Sequence, residues 1–116
     1  MQQLIDFEAV VTHISQVVIV LDSELTIVWS NPQAAEAAGG KDPRGQKCYQ
    51  IYQDRDSPCP GCHTLQTFAT GEMIPNISTV TSADGRCRYY DGFTVVVGRD
   101  AQGRITLVAE VAGEVS

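Results

Sequence analysis

The fold is decided by residues 17–32, which read VVIVLDSELTIVWSNP. The runs Val17–Leu21 and Leu25–Ser30 are rich in β-branched residues and are separated by a short polar stretch. Two such runs around a polar turn predict an antiparallel hairpin. Asn31-Pro32 then predicts the start of a helix, because Asn caps helix N-termini well and Pro suits the first helical position. The alanine-rich segment that follows favours a helix, which Gly39-Gly40 ends.

The rest of the chain continues this pattern of short elements. Helices are predicted at residues 46–52 and 60–70, and strands at residues 74–82, 86–97 and 104–111. Turn signals at Ala83-Asp84-Gly85 and at Asp100-Ala101-Gln102-Gly103 separate the last three strands. Tight turns make neighbouring strands antiparallel, and the helices lie between the second and third strands. The sequence therefore predicts an α+β domain whose helices cover one face of a mostly antiparallel sheet.

Composition limits the partners of this chain. Its 116 residues are enough for one domain, and 8 basic against 14 acidic side chains give a formal net charge of -6. The basic residues are scattered singly, so nucleic acid is not an expected partner. The longest apolar run, Val17–Leu21, is far too short to cross a membrane, and no signal-peptide pattern opens the chain. We therefore expect a cytoplasmic segment without membrane contact.

An amphipathic helix is predicted over residues 1–15. Apolar side chains recur there at helical spacing and share one stripe, which consists of Leu4, Phe7, Val11 and Ile14. The spacing is also heptad-like. The stripe therefore either packs on its own domain or forms the seam of a homodimer.

Together these features resemble a PAS sensor domain over about residues 13–112. The motifs that carry the resemblance are the hairpin Val18–Ser30 with its Asp22 turn, the helix start Asn31-Pro32, the segment Gly45-Gln46-Lys47-Cys48, and the turns Asp84-Gly85 and Asp100–Ile105. Cys48 followed by Ser57-Pro58-Cys59-Pro60-Gly61-Cys62 is also similar to a cysteine-bearing subset of bacterial PAS domains.

The resemblance implies both an architecture and a role. The architecture is a five-stranded antiparallel sheet with short helices on one face, an N-terminal helix, and a small cavity between helices and sheet. Residues 16–112 would form the sensor domain and residues 113–116 the start of a linker to an output domain. The implied role is a signal-sensing and dimerisation module, without catalysis of its own, in a bacterial protein such as a sensor histidine kinase or a diguanylate cyclase.

Two departures from the family pattern bear on this role. The Asp-hydrophobic-Thr element that often ends the family's last strand is absent from residues 112–116. Cys48 follows Lys47 and does not match the context of the family's flavin-linking cysteine, which argues against a flavin. No serine-histidine-aspartate set or phosphate-binding loop appears, so the sequence offers little basis for an enzyme.

The pair Cys59 and Cys62 is the strongest chemical signal. Its predicted position at a helix start favours a thiolate. The pair could bind a metal with Cys48 or His63 completing the ligand shell, or act in redox chemistry with Cys59 as nucleophile and Cys62 as resolving thiol. Cys62-His63 also completes the attachment motif of c-type haem, which would require export and an axial ligand such as Met73. Purely structural thiols are the remaining alternative.

A ligand cavity would be lined by aromatic residues and one carboxylate. The candidates are Trp29, Tyr49, Phe68, Tyr89, Asp91 and Phe93, with Tyr90 as a further aromatic candidate. Cys87 shares strand parity with Tyr89, Asp91 and Phe93, so all four would face the core if Phe93 does. Aromatic residues fill cores more often than they bind ligands, and an outward Asp91 would simply be solvated. The sequence does not identify the ligand.

Overall fold

The computed structural model describes residues 4–81 and 85–115 and consists of one β-sheet with short helices packed against it. The helices are α1 Phe7–His13, α2 Pro32–Ala37, α3 Cys48–Gln53 and α4 His63–Thr70, and the strands are β1 Val17–Leu21, β2 Ile27–Ser30, β3 Ile74–Thr81, β4 Cys87–Arg99 and β5 Ile105–Val115. The five strands form a single antiparallel sheet in the order β2-β1-β5-β4-β3. This confirms the predicted α+β class and the PAS-like sheet.

The β1–β2 hairpin forms as predicted, and its turn is held by one carboxylate. Asp22 Oδ1 accepts hydrogen bonds from the backbone N–H groups of Glu24 and Thr26, at 2.9 and 3.0 Å. A bulge between Val20 and Leu21 shifts the register, so that Leu21 pairs with Ile27 whereas Val20 pairs with Trp29. The side chains of Leu21 and Ile27 therefore enter the core.

Asn31 joins three elements. Its Oδ1 accepts hydrogen bonds from the N–H groups of Val18 and Ala34, at 3.0 and 3.1 Å, and its Nδ2 donates to the carbonyls of Val11 and Gln16, both at 2.9 Å. One buried amide thereby caps α2, fixes the start of β1 and ties down the chain that leaves α1.

β5 occupies the middle of the sheet between β1 and β4. Its even-numbered residues Val108, Glu110 and Ala112 alternate onto the face that the helices cover. Glu110 pairs with Ile19 of β1 on one side and with Thr94 of β4 on the other, and both of those residues are buried. A carboxylate therefore lies at the centre of the inner face.

The N-terminal helix is shorter than the predicted span of residues 1–15, of which 1–3 lie outside the described residues. α1 begins at Phe7 because Asp6 caps it, and ends at Ile14, where the backbone turns extended. None of its residues is buried. Of the predicted stripe, Leu4 and Phe7 are 92% and 70% exposed, Val11 and Ile14 are half-buried, and only Phe7 and Val11 are helical.

The last strand is longer than predicted. Gly113, Glu114 and Val115 continue the pairing of β5 with β4 opposite Asp91, Tyr90 and Tyr89. Residues 113–115 are therefore part of the sheet and not the start of a linker; Ser116 lies outside the described residues, as does most of the predicted turn at Ala83-Asp84-Gly85. The pairing extends this far because β4 offers 13 residues of partner strand.

β4 has the opposite parity from the one that would bring Cys87, Tyr89 and Phe93 to the core. Tyr90 and Thr94 are buried against the helices, whereas Tyr89, Asp91 and Phe93 lie on the other face and are exposed. Tyr89 is 54% exposed and Tyr90 only 5%. Cys87 follows the same outward parity and is exposed.

None of the helices in the described part of the chain is long and apolar enough to span a membrane.

We predict that Asn31→Ala lowers the free energy of unfolding by about 2–4 kcal/mol, because it removes a helix cap and leaves buried backbone groups unpaired. Urea unfolding followed by circular dichroism measures this loss. Asn76→Ala on edge strand β3 is the matched control and should change stability by less than about 0.5 kcal/mol. A loss below about 1 kcal/mol at Asn31 would contradict the role assigned to its side chain.

Candidate functional site

A small cavity lies between the inner face of the sheet and the helices α2 and α3. Its volume is about 40 Å³, which is room for a few water molecules or one small functional group. Its wall is formed by Val17, Ile19, Ala37, Cys48, Tyr52, Gln53, Ser78, Val80, Tyr90, Glu110 and Ala112. We call this space the inner cavity.

The position of α3 creates the inner cavity. The N–H of Cys48 donates to the carbonyl of Leu25 at 3.0 Å, which fixes the start of α3 beside β2. Tyr52 Oη donates to the carbonyl of Ala34 at 2.7 Å, and Gln53 Nε2 donates to the carbonyl of Thr79 at 2.6 Å. α3 is thereby held to α2 and to β3. The small side chains of Ala37 and Ala112 leave the space beneath it unfilled.

Glu110 is the single acidic side chain on this wall. Burial raises the pKa of its carboxyl above the ordinary value. The side chain is half-buried, and among the described residues its carboxyl has neither a hydrogen-bond partner nor an ion-pair partner. A desolvated carboxyl without a protein partner is costly to ionise, and such groups cluster at functional sites.

A second, more polar space adjoins the inner cavity. It has a volume of about 70 Å³ and shares Val17, Ala37 and Tyr90 with the inner cavity. Its other lining residues are Ser15, Gln33, Glu36, Arg88 and Glu114, with Arg88 Nε and Glu114 Oε1 3.8 Å apart. We call it the outer pocket.

Three of the four cysteines gather near the inner cavity. Burial raises the pKa of the Cys48 thiol well above its ordinary value, and the charges of Glu110, Cys62 and Cys59 raise it further. Burial is also the largest cause that raises the pKa of Cys59, followed by Cys62, and Arg55 opposes the shift. Cys59 and Cys62 are therefore near enough to Cys48 for their charges to act on its thiol.

The thiolate expected at Cys59 is contradicted. Gly61 adopts a left-handed conformation with φ of 66°, so Cys59-Pro60-Gly61-Cys62 is a turn closed by a hydrogen bond from the Cys62 N–H to the Cys59 carbonyl. α4 begins only at His63, with Cys62 as its N-cap. Cys59 thus lies outside the helix, and burial outweighs any benefit from the helix dipole.

The metal shell suggested by the sequence is not assembled. Within residues 4–81 and 85–115, no three Cys, His, Asp or Glu side chains are arranged to hold a metal ion. His63 is half-buried at the start of α4 and does not join the thiols in such a group. All four cysteines are free thiols.

Of the cavity candidates drawn from the sequence, Tyr90 lines the inner cavity and the other six do not. Trp29 lies opposite Val20 and its Nε1 donates to Glu8 Oε1 at 3.3 Å, on the other side of the sheet. The extra residue Val28 in β2 causes this, because it leaves Ile27 and Trp29 opposite neighbouring residues of β1 and hence on different faces. Tyr89, Asp91 and Phe93 miss the cavity because of the parity of β4.

The two candidates on helices, Tyr49 of α3 and Phe68 of α4, do not line the cavity because other side chains occupy the inward face of each helix. Cys48 and Tyr52, four residues apart, share the inward face of α3, and Tyr49 lies beside that face. α4 packs Thr64 and Thr67 inward, where Thr67 Oγ1 lies 2.7 Å from Thr94 Oγ1. Phe68 remains half-buried at the margin of α4.

The residues that sequence reasoning missed are Tyr52 and Glu110. A signal for Glu110 was present in the sequence. It is the single charged residue in the segment Ile105–Ala112, and it shares strand parity with the apolar residues Val108 and Ala112. An acidic residue at a core position of a central strand indicates a functional carboxyl.

Comparisons with known proteins agree with this architecture. A family model described as PAS fold matches residues 11–116. The chain therefore belongs to the PAS-fold family, whose members are in general sensory and non-catalytic modules. No curated protein sequence matches the chain.

Similar solved structures show the same fold. The PAS domain of nitrogen regulation protein NR(II) from Vibrio parahaemolyticus is 18% identical with a TM-score of 0.72, covering 92% of this chain and 95% of that one. A Vibrio cholerae VqmA dimer is 17% identical with a TM-score of 0.72, covering 97% of this chain and 52% of that one. An RNA-binding Light-Oxygen-Voltage receptor is 19% identical with a TM-score of 0.72, covering 93% and 32%.

These likenesses concern the fold alone, because all are below 20% identity. The chain spans about half the length of VqmA, 52% in one structure and 56% in another in which VqmA is bound to DPO.

We predict that Glu110→Gln stabilises the folded chain at neutral pH. A carboxyl whose pKa is raised by folding keeps its proton in the folded chain at pH values where the unfolded chain has lost it. Stability therefore falls as pH rises from the unfolded pKa of about 4.3 toward the folded pKa, and stays lower above it. Glutamine cannot ionise, so its stability does not fall in this window.

Urea unfolding at several pH values tests this expectation. The unfolding midpoint of the Glu110→Gln variant should exceed that of the native chain at pH 7, and the difference should shrink toward pH 4. Glu24→Gln is the control, since it removes only a surface ion pair with Lys47 and should act by less than about 1 kcal/mol. A Glu110 variant less stable than the native chain at every pH would show that the carboxyl has a partner.

Proposed function

We propose that this chain is the signal-sensing module of a bacterial signal-transduction protein, and that it binds a small ligand in the inner cavity. The observation that carries the proposal is the Glu110 carboxyl, which faces an unfilled space without a protein partner. A fold that only needed stability would place an apolar side chain there, because an unpaired buried carboxyl opposes folding. A ligand that pairs with it offsets this cost.

The sensing mechanism is a shift between populations of conformations. α3 forms the roof of the inner cavity and is fixed by its two side-chain hydrogen bonds to Ala34 and Thr79. A ligand that binds one position of α3 more tightly than another favours that position. The strands that share the cavity wall then transmit the change toward the ends of the domain. We take the parent protein to be a sensor histidine kinase, with a diguanylate cyclase as the alternative output.

Thiol-redox sensing is the second candidate, and the clustering of Cys48, Cys59 and Cys62 is the observation behind it. Disulfide exchange requires a thiolate as the attacking group. The raised pKa values of Cys48 and Cys59 reduce the thiolate fraction at neutral pH. We therefore rank ligand binding above redox sensing, and both above a metal-stabilised module.

The other partners expected from the sequence remain predictions. The net charge of -6 still argues against binding of nucleic acid by this segment itself. A cytoplasmic location, an output domain reached through flanking segments, and the lack of membrane contact belong to the same proposal.

We predict that filling the inner cavity abolishes ligand binding. A thermal-shift screen of small metabolites against the native chain should yield compounds that stabilise it, and Ala37→Leu should abolish the shift because the added methyl groups enter the cavity wall. Ala69→Leu on the exposed face of α4 is the matched control and should retain the shift. The proposal would be contradicted if the compounds stabilised the Ala37→Leu variant as much as the native chain, or if the screen yielded no stabilising compound.

We further propose that the chain pairs with a second copy through α1 and the outer face of the sheet. The exposed apolar side chains of the N-terminal segment are those of Leu4, Ile5, Phe7 and Val10. The outer face of the sheet adds exposed Tyr89, Phe93, Val97 and Val115. The hydrogen bond from Trp29 to Glu8 places α1 on this same side of the sheet. A homodimer that formed on this side would bury both sets of apolar side chains.

Phe7→Glu should weaken this dimer at least about tenfold, since it places a charge in the centre of an apolar interface. Sedimentation equilibrium over a range of concentrations measures the dissociation constant. Leu65→Glu, on the helix-covered side of the domain, introduces the same charge and should leave the constant unchanged. A native chain that stays monomeric at all concentrations would contradict the homodimer.

A further inference from the structure

We infer that the inner cavity binds the ammonium end of a small organic cation, with the Glu110 carboxylate as its counter-charge. This inference deepens the proposed ligand-sensing function and depends on it. It follows from which hydrogen-bonding groups the cavity leaves unused, from the charges around it, and from its size.

The wall offers acceptors, and two of its donors are already engaged, whereas the hydroxyls of Ser78 and Tyr90 can donate as well as accept. The Tyr52 hydroxyl donates its hydrogen to Ala34, and Gln53 directs its Nε2 to Thr79. The oxygen of Tyr52, the Oε1 of Gln53 and both carboxylate oxygens of Glu110 remain available as acceptors. An ammonium group has three donors and no acceptor, so it matches this set.

The charges around both spaces favour a cation. The outer pocket carries Glu36 and Glu114 together with one guanidinium, that of Arg88, and the inner cavity adds Glu110. Three carboxylates and one guanidinium therefore line the two spaces. Arg88 Nε lies 3.8 Å from Glu114 Oε1, so the positive charge of Arg88 interacts with Glu114 in the outer pocket.

Among the residues that the structure describes, no group on the elements packed around the cavity supplies a positive charge to Glu110. β1 and α2 present only apolar residues to the cavity, Val17, Ile19 and Ala37, and β3 presents Ser78 and Val80. α3 presents Cys48 and Tyr52, and β4 presents Tyr90. Burial raises the pKa of Cys48 and of Tyr52, so both are neutral at pH 7. An ionised Glu110 therefore requires its counter-charge from the ligand.

The sizes of the two spaces limit the ligand. About 40 Å³ accommodates an ammonium group and a carbon or two, and the adjoining 70 Å³ accommodates a short polar or apolar remainder. The ligand class is therefore a small primary amine whose remainder passes Tyr90 into the outer pocket.

A titration of the isotope-labelled chain with ethylammonium chloride tests this inference, with ethanol as the neutral probe of equal size and potassium chloride as the ionic-strength control. Amide chemical shifts report both the site and the affinity. We expect ethylammonium to shift the amides of the cavity wall and ethanol to do so far more weakly. Glu110→Gln should weaken ethylammonium binding about 10- to 100-fold, as expected for a lost charge-assisted hydrogen bond, whereas Glu24→Gln should not.

The pH dependence of the native chain gives a measurement that needs no variant. Ethylammonium stays protonated well above neutral pH, as a lysine side chain does. Its affinity should therefore rise with pH as Glu110 ionises and level off above the pKa of that carboxyl. A ligand that accepts a hydrogen bond from the neutral Glu110 carboxyl would show the opposite trend.

Three results would overturn the inference: ethanol binding as tightly as ethylammonium, unchanged ethylammonium binding in Glu110→Gln, or no binding of ethylammonium to the cavity wall. If ethanol binds and Ala37→Leu blocks that binding, only the claim that the ligand is a cation is overturned, and the inner cavity remains the proposed sensory site. The sensing function itself is decided by the metabolite screen and the Ala37→Leu variant.

Discussion

The two-residue alternation of β5 in the middle of the sheet is the constraint on which the site depends. β5 pairs with β1 on one side and β4 on the other, so its register is fixed along both edges. A slip of one residue would expose Val108 and Ala112 and bury their neighbours instead. Because both edges hold the register, Glu110 has no alternative to the inner face, and the cavity has a carboxyl in its floor.

Most of the fold could be predicted from local sequence signals. The hairpin, the α2 start at Asn31-Pro32 and the antiparallel order follow from short-range preferences that one sequence displays directly. Parity within β4 did not follow, because apolar side chains occur on both of its faces: Tyr90 and Val96 inward, Phe93 and Val97 outward. Such a strand has no alternating pattern of apolar and polar residues. Which of its faces lies toward the core is decided by the side that the helices cover.

The candidate site was predictable only in part. The sequence offered Cys48 and His63 as alternative partners of the Cys59–Cys62 pair and did not choose between them. The chemical state of Cys59 could not be predicted either, because burial and the helix start oppose each other and only the structure shows that burial is larger. The cavity itself depends on small side chains from distant segments, Ala37 and Ala112, meeting beneath α3. No local pattern reports such a void.

The most direct test of this account is the titration of the Glu110 side-chain carboxyl by carbon-13 nuclear magnetic resonance of the folded native chain. The account predicts that Glu110 ionises at distinctly higher pH than a glutamate in an unfolded peptide, which ionises near pH 4.3. If Glu110 instead ionises near pH 4.3, its carboxyl lies in water, and the cavity site proposed for this PAS-fold domain does not exist.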